Sequence, residues 1–261
     1  MDKAQILKIA QTLDDARLKG TSLSQFSSQF ENFSRSDAYS IQEEGLKMRQ
    51  SRGEKIIGLK MGLTSEGKRK QMNLDSPLYG VLTDKMEIKN AGIFHLKGSI
   101  HPKIEPEIAF YITKDLRGKL SREDVLNACE FIAPALEILD SRYEGFKYFS
   151  MEDVIADNSS SSHFIIGPKC TNFKTLDLMN LKMQMKVDGI VKTEGVSSDI
   201  SGDPVISVLQ LAELLALRDQ FIPANTIVLA GAATLAINLE PNTIVSLEVE
   251  NLETMSVTIK E

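Results

Sequence analysis

The chain has 261 residues, 42% of them apolar and 25% charged, an ordinary soluble composition long enough for a substantial core. Its formal charge of −6 removes the basic footprint that a nucleic-acid binder needs, and no apolar run is long enough to cross a membrane. Cys129 and Cys170 fit neither a disulfide framework nor a metal-ligand spacing, and the start lacks a hydrophobic signal core, so a reducing cytoplasm is the expected home.

The first fifty residues read as helical. Ile6, Ile9, Ala10, Leu13 and Ala16 recur at helix spacing and form one apolar stripe. A polar stretch over 21–35 leads to a second helix from near Ser36 through Ile41 and Leu46, stopped by Gly53. Both read as scaffold or subunit contact rather than chemistry.

From Lys55 the pattern changes to short strands: 55–61, 107–112, 132–139, 163–166, 181–187, 226–229, 244–249 and 256–259. Helices are expected near 64–72 and 122–129, with Lys68-Arg-Lys70 as a solvated helix end. A third helix, apolar nearly all round, follows Asp203-Pro204, where Asp203 is a good N-cap and Pro204 a good first helical residue. Irregularly spaced strands with few helices between them predict a mixed or rolled sheet, not a doubly wound one. No linker or repeat divides the chain, so one domain is expected over 1–261.

Lys60 stands between apolar neighbours and two glycines. By default it lies at a sheet edge with its head in water; otherwise it is buried, where desolvation penalises its charge. Glu105 and Glu107 flank Pro106 and, two apart on a strand, point the same way. Glu137 lies inside the apolar run Phe131-Ile-Ala-Pro-Ala-Leu-Glu-Ile-Leu139. Three carboxylates drawn together out of water would repel and lose solvation, and a hard divalent cation resolves both problems. An all-oxygen donor set favours Mg²⁺ or Mn²⁺ over Zn²⁺. The plainer alternatives are a solvated face for Glu105 and Glu107 and an ion pair from Glu137 to Arg142.

Asp157-Asn-Ser-Ser-Ser-Ser162 is the densest hydroxyl cluster, either a carboxylate-binding segment or a polar loop. His95, His101 and His163 are scattered and read as structural or exposed. Gly231-Ala-Ala reads as a strand-ending turn. No GxSxG elbow, Walker loop or GxGxxG occurs, which removes the usual support for hydrolase, NTPase and dinucleotide readings.

Six segments in order carry a resemblance over the whole chain: Gly58-Leu-Lys-Met-Gly-Leu-Thr-Ser65, Pro77-Leu-Tyr-Gly80, His101-Pro-Lys-Ile-Glu-Pro-Glu107, Glu137-Ile-Leu-Asp-Ser-Arg-Tyr143, Ala156-Asp-Asn-Ser-Ser160 and Val228-Leu-Ala-Gly231. Together they resemble the hydratase/decarboxylase branch of the fumarylacetoacetate hydrolase superfamily. The resemblance implies an α+β fold, with a helical part over 1–54 and a mixed β-roll catalytic core over 55–261. It implies Mg²⁺ or Mn²⁺ held by Glu105, Glu107 and Glu137, the residues that the burial argument selects. It places the active-site lysine on Lys60 and substrate contacts on Leu63, Leu78, Asp157 and Ser160.

Within the branch the resemblance leans to the decarboxylases. It implies loss of CO₂ from 2-oxo-3-hexenedioate to give 2-hydroxypenta-2,4-dienoate in aromatic catabolism; the alternative is hydration of a 2-hydroxypentadienoate on the same metal. Hydratases of the branch tend to read Pro-Asp-Phe/Tyr-Gly where this chain has Pro77-Leu-Tyr-Gly80, so Leu78 removes a carboxylic acid suited to managing water. The segment from Asp140 to Lys147 also looks more like the decarboxylases. Many relatives carry Gly-His-Pro where this chain has Gly202-Asp-Pro204, which bears on the exact substrate. Carbon–carbon hydrolysis of an acylpyruvate is weaker, for want of a His–Glu base pair near the metal motifs. The resemblance further implies a homo-oligomer, alone or in complex with a pathway hydratase.

Overall fold

The computed structural model describes residues 1–65, 69, 76–146 and 150–261. The helix expected near 64–72, its basic cluster and Lys147 fall largely or wholly outside that set.

Two helices open the chain, α1 (Lys3–Lys19) and α2 (Arg35–Ser51). Each starts in a reciprocal cap, Asp2 with Gln5 and Ser34 with Asp37, which satisfies backbone N–H groups that have no partner within the helix. α1 ends at Gly20 in the left-handed region, φ 63°, where glycine carries no Cβ penalty. The helices pack on each other and bury Ile9, Leu13, Ile41 and Leu46.

Thirteen strands follow among the described residues: β1 (Ile56–Gly62), β2 (Leu78–Thr83), β3 (Glu87–Lys89), β4 (Ile93–His95), β5 (Lys103–Ile112), β6 (Cys129–Leu139), β7 (Ser161–Ile166), β8 (Lys182–Val187), β9 (Ile190–Val196), β10 (Thr226–Ala232), β11 (Ile237–Asn238), β12 (Thr243–Val249) and β13 (Met255–Lys260). Short helices α3 (Arg122–Ala128) and α4 (Met151–Ala156) and the longer α5 (Pro204–Ala216) lie between them. The larger, mixed sheet runs β2-β1-β10-β5-β6-β7-β3, with β11 also pairing β5. It curls until β2 and β7, near its opposite ends, touch. A five-stranded sheet, β4-β13-β12-β8-β9, packs beside it. This is the α+β roll that the resemblance implied.

Register divides the curled sheet into two faces. Lys60 pairs across to Leu229, Leu229 to Ala109 and Ala109 to Ala133, so these four share the inner face. Glu107, two residues before Ala109, lies on that face too; so does Glu105, and Glu137 sits directly opposite it. A compact apolar floor of Leu82, Met86, Ala109, Ala135, Phe164 and Leu229 fills the rest of the inner side. The outer face, with Leu59, Met61, Ile108, Phe110, Ile132, Leu136 and Val228, belongs to the main core under the helices. Strands β5 and β6 are therefore apolar on both faces, which is why their glutamates stand out.

The expected strands all occur, several of them longer than read; β5 begins at Lys103 and β6 at Cys129. β2, β3, β4, β9 and β11 were not expected. β2 is buried at every residue and shows no alternation to read. Asp203 caps α5 as expected, accepting from Val205 N–H at 2.8 Å, and it also pairs with Arg122 at 2.7 Å. The residue standing where many relatives carry histidine thus has a structural role here.

His163, on β7, pairs across to Ile138 on the outer face and stacks edge-on to Phe94. Burial, reinforced by the charge of Arg49, pushes its pKa down to about 4. An unfolded chain takes up this proton near the ordinary value of about 6.5, whereas the folded chain refuses it until about 4. His163 is therefore without effect above pH 6.5, and stability falls between pH 6.5 and 4 by up to about 1.4 kcal/mol per pH unit. Urea unfolding of His163→Gln at pH 7 and pH 4.5 should show a smaller acid loss than wild type. Equal losses would remove His163 from the account.

Candidate metal centre

Glu105, Glu107 and Glu137 each offer one carboxylate oxygen, and these oxygens lie within 4.8 Å of one another. Glu107 and Glu137 are fully buried and Glu105 is half-buried, so the solvated-face alternative does not hold. Glu107 Oε1 is buried with no hydrogen-bond partner among the described residues. Burial, then the neighbouring charges of Glu137 and Glu105, push the Glu107 carboxyl well above the usual carboxylate range. Lys60 and the Gly231 N–H oppose that push. An orphaned buried oxygen facing two further carboxylates, with no nitrogen or sulfur donor, fits a hard divalent cation.

Lys60 is 2% exposed, because β1 lies between β2 and β10 rather than at an edge. This corrects the edge reading. Its Nζ lies 3.2 Å from Glu137 Oε2, close enough for an ion pair although the oxygen has no hydrogen bond of good geometry. The alternative ion pair from Glu137 to Arg142 does not form. Arg142 Nε and Nη2 instead donate to Asp157, and the Arg142 N–H donates to Asp157 Oδ2 at 3.0 Å.

Two backbone irregularities aim groups at the carboxylates. The β10–β5 ladder shifts register between Leu229 and Ala232, and there Gly231, φ +106°, donates its N–H to Glu107 Oε2 at 2.7 Å. A Cβ at Gly231 would stand 2.5 Å from the Thr64 side chain, so only glycine fits. The β6–β7 ladder shifts beside Glu137, and Ser161 Oγ donates to Glu137 Oε1 at 2.8 Å. Sequence reading missed both anchors: it took Gly231 for a strand-ending turn and looked to Ser160 within the serine run.

Asn158, Ser159 and Ser160 are all left-handed, with φ of 49°, 56° and 56°. Three such non-glycine residues in a row carry strain of order 1–3 kcal/mol each and persist only where surroundings enforce them. Here the Asn158 side chain exchanges two hydrogen bonds with the Val81 backbone, at 2.8 and 2.9 Å. Asp157 and Arg142 clamp the turn from the other end. Gly80 faces Lys60 across the β1–β2 ladder, and a Cβ there would stand 2.9 Å from Asn158 O and 3.2 Å from Lys60 Cε. The missing side chain lets the strained turn close over Lys60. A Cβ at Gly62 would likewise meet both Leu78 and Ser159 at 2.8 Å. Leu63, next along, is left-handed at φ 58°.

Of the residues expected at the site, Lys60 and the three glutamates share the inner face. Leu78 and the turn from Asn158 to Ser160 close upon Gly62 and Gly80, and Leu63 directly follows Gly62. Asp157 leads directly into the turn, its carbonyl accepting from the Ser160 N–H at 3.0 Å and its carboxylate already engaged by Arg142.

A protein-family model described as fumarylacetoacetate (FAA) hydrolase C-terminal matches residues 64–260. The chain belongs to this family. A 4-oxalocrotonate decarboxylase from Pseudomonas putida is 36% identical over 257 residues, covering 98% of this chain and 97% of that protein. A 2-hydroxyhexa-2,4-dienoate hydratase from Comamonas testosteroni is 36% identical over 234 residues, 88% of each chain. Among solved structures, 4-oxalocrotonate decarboxylase from Pseudomonas putida G7, complexed with magnesium and adipate, superposes with a TM-score of 0.95 at 34% identity, covering 99% of this chain and 98% of that one.

In this fumarylacetoacetate hydrolase family member, Ser161 would act on a cation held by the glutamates through its orientation of Glu137. Ser161→Ala is expected to weaken Mg²⁺ activation roughly 10–100-fold while leaving the fold intact, the range typical of groups that orient metal ligands. A Mg²⁺ titration of activity checks this; an unchanged half-saturating concentration would leave the hydrogen bond without a role.

Proposed function

We propose that this chain is a metal-dependent carbon–carbon lyase that converts 2-oxo-3-hexenedioate (4-oxalocrotonate) to 2-hydroxypenta-2,4-dienoate and CO₂. The observation that carries the reading is the buried three-carboxylate cluster beside a buried lysine on the inner face of the roll. The decarboxylase from Pseudomonas putida aligns over 98% of the chain, against 88% for the hydratase. The magnesium-bound relative holds adipate, a six-carbon dicarboxylate of the same length as the proposed substrate.

The departing carboxylate sits on the saturated carbon next to the double bond, which is itself conjugated to the 2-oxo group. Breaking its carbon–carbon bond moves an electron pair along the chain to the 2-oxo oxygen, and protonation there gives the hydroxydienoate. Glu105, Glu107 and Glu137 would hold Mg²⁺ or Mn²⁺, which would supply a Lewis acid where negative charge develops. Lys60, beside Glu137, holds an ammonium proton within the same enclosure and is placed to stabilise charge or donate at the 2-oxo oxygen. Leu78, fully buried, offers the leaving carboxylate a dry contact that disfavours its charge relative to neutral CO₂. Leu63 and Ser160 complete the substrate contacts, and the Asp157 carbonyl fixes Ser160 by accepting from its N–H at 3.0 Å.

The hydratase reading has its own support, since the Comamonas testosteroni enzyme is as similar in identity. Purified protein with Mg²⁺ should release CO₂ from 2-oxo-3-hexenedioate and add water to 2-hydroxypentadienoate far more slowly. The reverse preference would exchange the two readings. Absence of any metal-dependent turnover would leave a binding subunit. The proposal extends to a cytoplasmic homo-oligomer, alone or with a pathway hydratase. Free thiols at Cys129 and Cys170 suit a reducing compartment, and exposed Ile190, Leu217 and Leu235 offer apolar area for subunit contact.

A further inference from the structure

A cavity of about 430 Å³ opens where the end of α2, the segment through β3 and β4, and the start of β7 meet. It lies within the size range of small-molecule sites and shares no lining residue with the metal cluster. Five cationic side chains line it, namely Arg17, Arg49, Lys85, Lys97 and Arg142. Three of them already have carboxylate partners, Arg17 in Asp14, Arg49 in Glu54 and Arg142 in Asp157, which leaves Lys85 and Lys97 beside three lining carboxylates, two of them engaged. Asp140 accepts from the backbone N–H groups of Ile100 and His101, and Glu54 accepts from Arg49 and Thr83. The third, Glu87, is exposed at the rim. Arg17 Nε is buried without a hydrogen-bond partner among the described residues. A buried donor left unpaired is costly, and an oxyanion held between it and the two lysines would satisfy it.

We propose that this cavity is a second binding site, which takes a small dianion, dicarboxylate or phosphate, between Arg17, Lys97 and the wall formed by Arg49 and His163. Charge interactions within the cluster agree. Burial comes first for both groups; beyond it Arg17 and Arg142 act against the positive form of Arg49 while Glu54 supports it, and Arg49 and Arg17 act against that of His163 while Asp140 supports it. An acidic protein gains such a site only from a local concentration of positive side chains, as here. The occupant would also touch Arg142, which clamps the strained turn beside Lys60, so binding would reach the metal centre by way of that turn.

Calorimetric titration of the full Mg²⁺-loaded protein with inorganic phosphate, and separately with malonate, at ionic strength held constant with chloride, tests the assignment. Saturable binding of one dianion per chain is expected in addition to any at the metal centre. The Kd should rise at least tenfold in Arg17→Gln and several-fold in Lys97→Gln. Lys97 is exposed, so its variant decides the matter if Arg17→Gln fails to fold. Binding should persist in Glu107→Gln, which separates this cavity from the metal centre. Tighter binding of malonate would assign a carboxylate ligand, and tighter binding of phosphate a phosphorylated one. No saturable heat with either probe would overturn the proposal. So would binding that survives in Lys97→Gln and Arg17→Gln or vanishes in Glu107→Gln.

Discussion

Replacing Glu107 with glutamine is expected to lower decarboxylation at least about a thousandfold and to abolish the rise in Tm that Mg²⁺ confers on the wild type. Lewis-acid stabilisation by a bound cation supplies several kcal/mol, and each 1.4 kcal/mol is about tenfold in rate. The amide keeps the shape but removes one of three charges from a cluster whose oxygens lie within 4.8 Å. The metal-free protein should respond in the opposite sense. Burial and repulsion from Glu137 and Glu105 oppose the Glu107 charge, so glutamine relieves a strain that metal otherwise relieves. Thermal melts in EDTA should therefore show the variant roughly as stable as wild type or a few degrees higher. Near-normal Mg²⁺-dependent turnover in this variant would end the case for the metal centre.

Lys60→Met should produce the mirror image in EDTA. Removing the positive side chain beside Glu137 leaves three carboxylates with less compensation, so the metal-free Tm should fall. With Mg²⁺ present the loss should largely disappear. Affinity for Mg²⁺ should hold or tighten a few-fold, because an ammonium 3.2 Å from Glu137 Oε2 repels a cation bound there. Turnover should nevertheless drop about 10²- to 10⁴-fold, the span expected for a group that handles a proton or a developing charge. Metal titration combined with kcat separates the two effects. A collapse of Mg²⁺ affinity would make Lys60 a support for the ligands and nothing more.

The glutamates were readable because a charge inside an apolar run violates the pattern around it, and Glu137 does so on a strand buried on both faces. The same feature made β2 unreadable: Leu78–Thr83 is buried throughout, so no alternation marks it and a glycine interrupts it. β9 could have been found. Asp188-Gly189 separates it from β8, and both residues are left-handed, at φ 49° and 80°, as a two-residue hairpin turn requires. Lys60 illustrates a different limit. Whether a lysine lies at an edge or in the middle depends on which strands flank it, and β10 comes almost 170 positions later in the chain. The alternative pairing of Glu137 with Arg142 failed for a similar reason, since spacing in sequence does not show which carboxylate meets which cation. Gly231 was legible only as a turn, because its value lies in the direction of one N–H.

The paired hydrogen bonds between Asn158 and Val81 bear on more than the turn that they hold. β2 ends the order of the larger sheet, and the outward amide and carbonyl of Val81 would otherwise be open to a strand from another molecule. By occupying both, a single side chain imitates one rung of a ladder and blunts that edge against intermolecular pairing and aggregation. The contact that shapes the enclosure around Lys60 thus also protects the solubility of the protein.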